Sequence, residues 1–276
     1  MKHLVPLMLF AGVVLPASAW AQLVPEYEPV RHACCHSLNI RNLADQLQDW
    51  NQLSRYHIEN EELRKKPSDA RRVVFMGDSI TELWDLAESF PGEPYVNRGI
   101  SGQTTPQMLV RMFPDVIALK PAAVVILAGT NDISRATGAA TAEMVKFNLQ
   151  AMAQLASANG IKVVLAAILP TDDTPVRPPG AVTGRGGPPQ PQGLRAPIPR
   201  RLNSEMRPPS DIAELNAWMR DYAKTAGFTY LDYHSALVGA DGMLRDGLSN
   251  DGVHPTAAGY AVMKPLVSAA LKTVLR

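Results

Sequence analysis

The sequence predicts an α/β fold built on a five-stranded parallel sheet covered by helices on both faces. Five short runs, apolar at most positions, recur between Arg72 and Asp232. They alternate with segments of helical length, and glycines stand where two of those segments end. Strands without a polar face belong to sheets buried on both sides, whose parallel neighbours are joined by helical crossovers.

The elements follow in chain order. Residues 22–40 contain proline and lack periodicity, so an extended lead-in is expected. Leu43, Leu47, Trp50, Leu53 and His57 then recur at helical spacing among polar residues, predicting an amphipathic helix over about 42–64. Val73-Val74-Phe75-Met76 is the first strand. Tyr95-Val96-Asn97, the run from Ala122 to Leu127, the run from Lys162 to Ile168, and Phe228 to Asp232 supply the other four. Helices are expected over roughly 105–119, 141–159, 211–226 and 256–275. Gly160 and Gly227 suit the left-handed residue that closes a helix.

One stretch breaks this rhythm. Between Leu169 and Ser210 lie 11 of the 23 prolines, with five glycines and six arginines. That composition buries too little apolar surface to fold alone, so a long loop is expected, an insertion over about 172–209. It leaves the carboxyl end of the fourth strand, the side on which such sheets bind ligands. A lid role and a plain solvated insertion are both open to it.

The chain begins Met1-Lys2-His3, runs apolar from Leu4 to Leu15, and reaches Ala19-Trp20-Ala21. A basic start, a short apolar core and small residues at a break form a secretory signal over residues 1–21. The expected product is a secreted or periplasmic protein without stable membrane insertion. Cleavage removes one lysine, leaving 26 basic and 26 acidic residues. Such a balance gives no footprint for nucleic acid. The remainder divides into an N-terminal extension, 22–70, and one domain, 71–276. Cys34 and Cys35 are the only cysteines, within His32-Ala33-Cys34-Cys35-His36. A small metal site, a vicinal disulfide and thiols that pair with another molecule are the readings. The spacing matches no standard zinc pattern, so no metal or other cofactor is assigned.

Four segments near strand ends carry chemistry. Ser79 follows Gly77-Asp78 at a strand-to-helix turn, where a hydroxyl can project and the backbone N–H can meet a developing oxyanion. Asp78 is expected to tie that turn rather than accept the proton. Gly102 follows the second strand and lets backbone approach a ligand. Asn131, after the third, offers an amide donor. Asp251 and His254 stand three apart, so that one turn can place a carboxylate behind an imidazole. Pro255 is expected at the first position of the last helix. His234, two residues after Asp232, is the reserve base, and Trp84 is either a pocket wall or core.

In this order, Phe75-Met76-Gly77-Asp78-Ser79-Ile80-Thr81, Asn97-Arg98-Gly99-Ile100-Ser101-Gly102, Gly129-Thr130-Asn131-Asp132 and Asp251-Gly252-Val253-His254-Pro255 resemble the four blocks of the GDSL esterases, the SGNH hydrolase superfamily. The resemblance spans nearly all of residues 70–275. It implies a flavodoxin-like three-layer α/β/α sandwich and a serine ester hydrolase. It assigns Ser79 as nucleophile, Asp251 and His254 as triad acid and base, and Ser79, Gly102 and Asn131 as oxyanion donors. The implied partner is a small-molecule ester, with short acyl groups favoured because no long apolar stretch suggests a lipid-docking surface. A lipase or thioesterase, an acyltransferase, and a non-catalytic exported carbohydrate-binding module are the alternatives. The Pro/Arg/Gly insertion departs from the family pattern. The sequence leaves oligomeric state open.

Overall fold

The computed structural model describes residues 49–67, 69–173 and 202–276. The expected export signal, Cys34, Cys35 and most of the insertion lie outside the described residues.

Five strands, β1 (Val73–Gly77), β2 (Tyr95–Gly99), β3 (Ala123–Leu127), β4 (Lys162–Ala166) and β5 (Thr229–Leu231), form one sheet in the order β2-β1-β3-β4-β5. All pairs are parallel, with Val73 beside both Tyr95 and Ala123, and Gly77 beside both Gly99 and Leu127. This is the expected five-stranded parallel sheet, and it brings the carboxyl ends of β1, β2 and β3 to one rim.

The helices complete three layers. Val74, Met76, Val124 and Ile126 point into one core with Met108, Met112, Val145, Leu149, Met152, Leu215 and Met219. These come from α4 (Thr105–Val110), α5 (Met112–Asp115), α7 (Ala142–Ala158) and α9 (Pro209–Ala226). The alternate residues Val73, Phe75, Ala123 and Val125 point the other way, onto Ile80, Trp84, Leu86, Leu237, Met263 and Val267. Those belong to, or adjoin, α2 (Ser79–Glu82), α3 (Leu86–Ser89), α10 (Tyr233–Leu237) and α11 (Ala257–Val274). A period of two with both phases apolar is why the strand runs read as continuously hydrophobic.

Three expectations need correction. The helix expected over 42–64 occupies only α1 (His57–Lys65) among the described residues, and Trp50 and Leu53 precede it, 52% and 40% exposed. The Asp49 carboxylate accepts from Leu53 N, Ser54 N and Ser54 Oγ at 2.8, 3.0 and 2.6 Å, fastening a turn where a helix was expected. The helix expected over 105–119 is three pieces, α4, α5 and a 3₁₀ turn at Ile117–Leu119. Pro114 has no N–H to continue the ladder, and Arg111, at the junction, turns its side chain into the core. Pro255 lies two residues before the start of α11: Thr256 is the N-cap, its hydroxyl accepting from Gly259 N at 3.3 Å. A hydroxyl can fill the capping position and a proline ring cannot.

Trp84 belongs to the core. Its ring stacks on Tyr260 at 5.1 Å and meets Phe75, Phe90 and Tyr233, while Nε1 donates to Ser89 Oγ at 2.8 Å. The described end of the insertion, 202–209, is ordered by contacts: α8 (Asn203–Met206) leads into α9.

Candidate active site

Ser79 opens α2 directly after β1. Asp78 is the N-cap, its Oδ1 accepting from Ile80 N at 2.9 Å, which ties the turn and leaves the Ser79 N–H outside the helical ladder. The turn fits against β2 only because residue 99 is glycine: a Cβ there would lie 2.1 Å from Glu82 N and 2.7 Å from Asp78 O.

His254 Nε2 lies 2.8 Å from Ser79 Oγ, and its Nδ1 lies 2.6 Å from Asp251 Oδ2. The second oxygen of Asp251 accepts from Val253 N at 3.0 Å and His254 N at 2.8 Å, so the turn holds its own carboxylate. Burial acts to raise the Asp251 pKa, but the bonds from the His254 ring and from the two backbone N–H groups outweigh it and hold it at about 2. Asp251 is therefore an anion at any working pH, suited to fix the imidazole tautomer and to stabilise its cation. Ser249 braces the same turn, donating to His254 O at 2.8 Å and accepting from Gly252 N at 2.9 Å.

Gly102 and Asn131 are linked to the nucleophile turn through buried side chains. The Arg111 guanidinium, fully buried, donates Nη2 to Gly77 O at 2.9 Å, Nε to Gln103 Oε1 at 2.6 Å and Nη1 to Asp115 Oδ2 at 3.0 Å. Gln103 O accepts from Asn131 Nδ2 at 3.0 Å. One amide hydrogen of Asn131 is thus used to orient it, and the other is available to a ligand. Gly102 sits between these anchors at φ +78, exposed, with open space where a Cβ would be.

Asp132, next to Asn131 in α6 (Thr130–Ile133), is buried. Its carboxylate accepts from Thr105 N at 3.1 and 3.0 Å and from Thr105 Oγ1 at 2.6 Å. Burial lifts its pKa to about 7 against those bonds, and burial lifts Asp78 to about 6.

The structure brings Ser79, Asp251 and His254 into contact and sets Gly102 and Asn131 on the same rim. It does not bring His234 there: Asp232 caps α10 through Ser235 N and Oγ at 2.9 and 2.8 Å and faces Arg220 at 3.6 Å. Sequence reasoning missed four supports. Arg111 and Gln103 are described above. Asn203 donates to Asp251 O and Asp172 O, both at 2.8 Å, and Arg207 donates Nε to Thr130 Oγ1 at 3.0 Å. The N-terminal segment is a fifth contributor. Tyr56 OH donates to Gly99 O at 2.5 Å, Gln103 Nε2 to Asn51 O at 2.9 Å and Gln107 Nε2 to Trp50 O at 2.7 Å. Among the described residues, no group of three or more His, Cys, Asp or Glu is placed to hold a metal ion.

A family model described as GDSL-like lipase/acylhydrolase matches residues 75–262. An inferred acylhydrolase from Bacteroides fragilis is 39% identical over 83% of this chain and 99% of its own, with a TM-score of 0.69. A GDSL-like lipase from Bacteroides thetaiotaomicron is 36% identical over 81% of this chain and 98% of its own, with a TM-score of 0.67. An acetylxylan esterase from Geobacillus stearothermophilus, 18% identical over 75% of this chain and 96% of its own, shares the fold at a TM-score of 0.52. No curated protein matches the chain. The family match runs from the first strand into the last helix and takes in every segment that borders Ser79, so the chain belongs to the GDSL-like lipase/acylhydrolase family.

Proposed function

We propose that this protein is an exported hydrolase of small carboxylic esters that works through an acyl-enzyme on Ser79. The observation that carries the reading is the unbroken chain from Ser79 Oγ to His254 to Asp251, at 2.8 and 2.6 Å. As Ser79 Oγ attacks the ester carbonyl carbon, His254 Nε2 takes its proton, and the carbonyl oxygen becomes an oxyanion. The N–H groups of Ser79 and Gly102 and the free amide hydrogen of Asn131 receive that charge. His254 then gives the proton to the leaving alcohol oxygen as the C–O bond breaks. Water, deprotonated by the same imidazole, cleaves the acyl-serine and returns Ser79 to its hydroxyl form. The side chains bonded to the turns that carry Asp251 and Asn131, Asn203 on Asp251 O and Arg207 on Thr130 Oγ1, are polar, which supports a short acyl group over a long apolar one. Export rests on the basic, apolar and small-residue pattern of residues 1–21.

The test is hydrolysis of p-nitrophenyl esters from acetate to palmitate, with wild type beside Ser79→Ala. Activity highest on acetate, lost in Ser79→Ala together with labelling by an organophosphonate, is the expected result. Labelling that persists in Ser79→Ala would place the nucleophile elsewhere.

A further inference from the structure

The return of the insertion into the domain is fastened to the site, and one of its side chains is underused there. Arg207 caps α8, its backbone N–H donating to Asn203 O at 2.7 Å. Its half-buried side chain reaches across to Thr130, the residue before Asn131, through the single Nε bond at 3.0 Å. Among the described residues, Nη1 and Nη2 donate to nothing, and no carboxylate forms an ion pair with this guanidinium. Asp78 and Asp251 are near enough for their charge to act on it. The Asp251 oxygens are directed to His254 and Val253 and Asp78 Oδ1 to Ile80 N, while Asp78 Oδ2 is buried and has no hydrogen-bond partner among the described residues.

A guanidinium has five N–H donors in a planar fork. Only Nε is bonded within the described residues, and the Nη groups are not among the buried unpartnered atoms, so they keep access to solvent and stay open to an acceptor in the working complex. As a strut for Thr130, Arg207 would need only Nε. The Nη1/Nη2 edge, at the rim beside the Asn131 turn, is spaced to meet the two oxygens of a carboxylate.

Granting the esterase reading of Ser79, we propose that Arg207 is a specificity-determining residue, whose Nη1/Nη2 edge binds a carboxylate carried by the ester substrate. The preferred substrates are then esters with an anionic group a few bonds from the scissile carbonyl. That carboxylate sits on either the acyl or the alcohol side, and the experiment tells them apart.

Two matched pairs test this. 4-Acetoxybenzoate and 4-acetoxybenzamide differ in charge on the alcohol side; mono(4-nitrophenyl) adipate and its terminal amide differ on the acyl side. In wild type, the carboxylate member of one pair should have a kcat/KM about tenfold or more above its amide partner. Arg207→Gln should bring that ratio close to one. Should that variant not fold, Arg207→Lys carries the comparison, with a ratio below wild type because one ammonium replaces the fork. Calorimetric binding of the acetoxy pair and of both adipate esters to Ser79→Ala protein reads the same preference without turnover. A carboxylate preference in binding with no hydrolysis by wild type would sustain Arg207 and overturn the esterase reading. Equal handling of both members of each pair by wild type would overturn the Arg207 proposal. So would an Arg207→Gln loss shared equally by charged and neutral partners.

Discussion

Carboxyls at the candidate site are pushed in opposite directions. Asp251 titrates at about 2 in the folded chain, below its ordinary 3.8, so its contribution to stability is present above pH 4 and lost as pH falls toward 2. Asp132 titrates at about 7, above 3.8, so the folded state holds an extra proton between those values and stability falls as pH rises through that window. Asp78, at about 6, adds to the same fall. Asp132→Asn should therefore shrink the drop in urea midpoint between about pH 5 and 7, read by denaturation at each pH. An unchanged drop would mean that Asp132 is ionised throughout. Asn131→Ala should lower kcat by about 10²–10³ with little change in KM, because the amide meets charge that exists only in the transition state. Steady-state kinetics on p-nitrophenyl acetate checks this. At this scale Ser79, Gly102, Asn131, Asp251 and His254 were legible because each sits in a short segment with its turn residues beside it. Arg207 and Asn203 were not, since they lie in a proline-rich stretch without periodicity and find their partners 77 and 48 residues away.

Among the elements, the strands could be read and several helices could not, for a physical reason. A strand buried on both faces announces itself in consecutive residues, whereas α1 buries chiefly Asn60. That amide accepts from Arg98 Nε and Nη2 at 2.9 and 2.8 Å and donates to Asp115 Oδ1 at 2.6 Å. A helix docked by one polar side chain leaves no apolar stripe to detect. The break at Arg111 was hidden similarly: it exists to send a guanidinium between Gly77, Gln103 and Asp115. Arg111→Met alone should destabilise the chain by about 3–5 kcal/mol, because Asp115 is left as a buried charge without its partner. Adding Asp115→Leu should restore part of that stability in urea titrations. Turnover should stay low in both variants, since Gly77 O and Gln103 have lost the group that joins them. Recovery of turnover along with stability would show that Arg111 serves only the core.

For the whole molecule, the sheet order and the two-sided core make a single rim the meeting place of distant segments, which is why four sequence blocks could be joined before their geometry was known. The N-terminal segment was harder to place. Residues 49–65 lie outside the matched family region, yet they hold Gly99, Gln103 and Gln107 through Tyr56, Asn51 and Trp50. The insertion carries a different lesson. Its two ends meet: Asn203 bonds Asp172 O at 2.8 Å, and Ser204 bonds Asp173 through N and Oγ at 2.8 and 2.6 Å. Because these bonds clasp the chain where it leaves and rejoins, the described fold should hold without covalent continuity between the two flanks. A single proteolytic cut there should leave two fragments that migrate together on a sizing column and turn over p-nitrophenyl acetate at the rate of the uncut chain, separating only in denaturant. The same clasp marks this junction as one that should carry a foreign domain without disturbing the turn that bears Asp251.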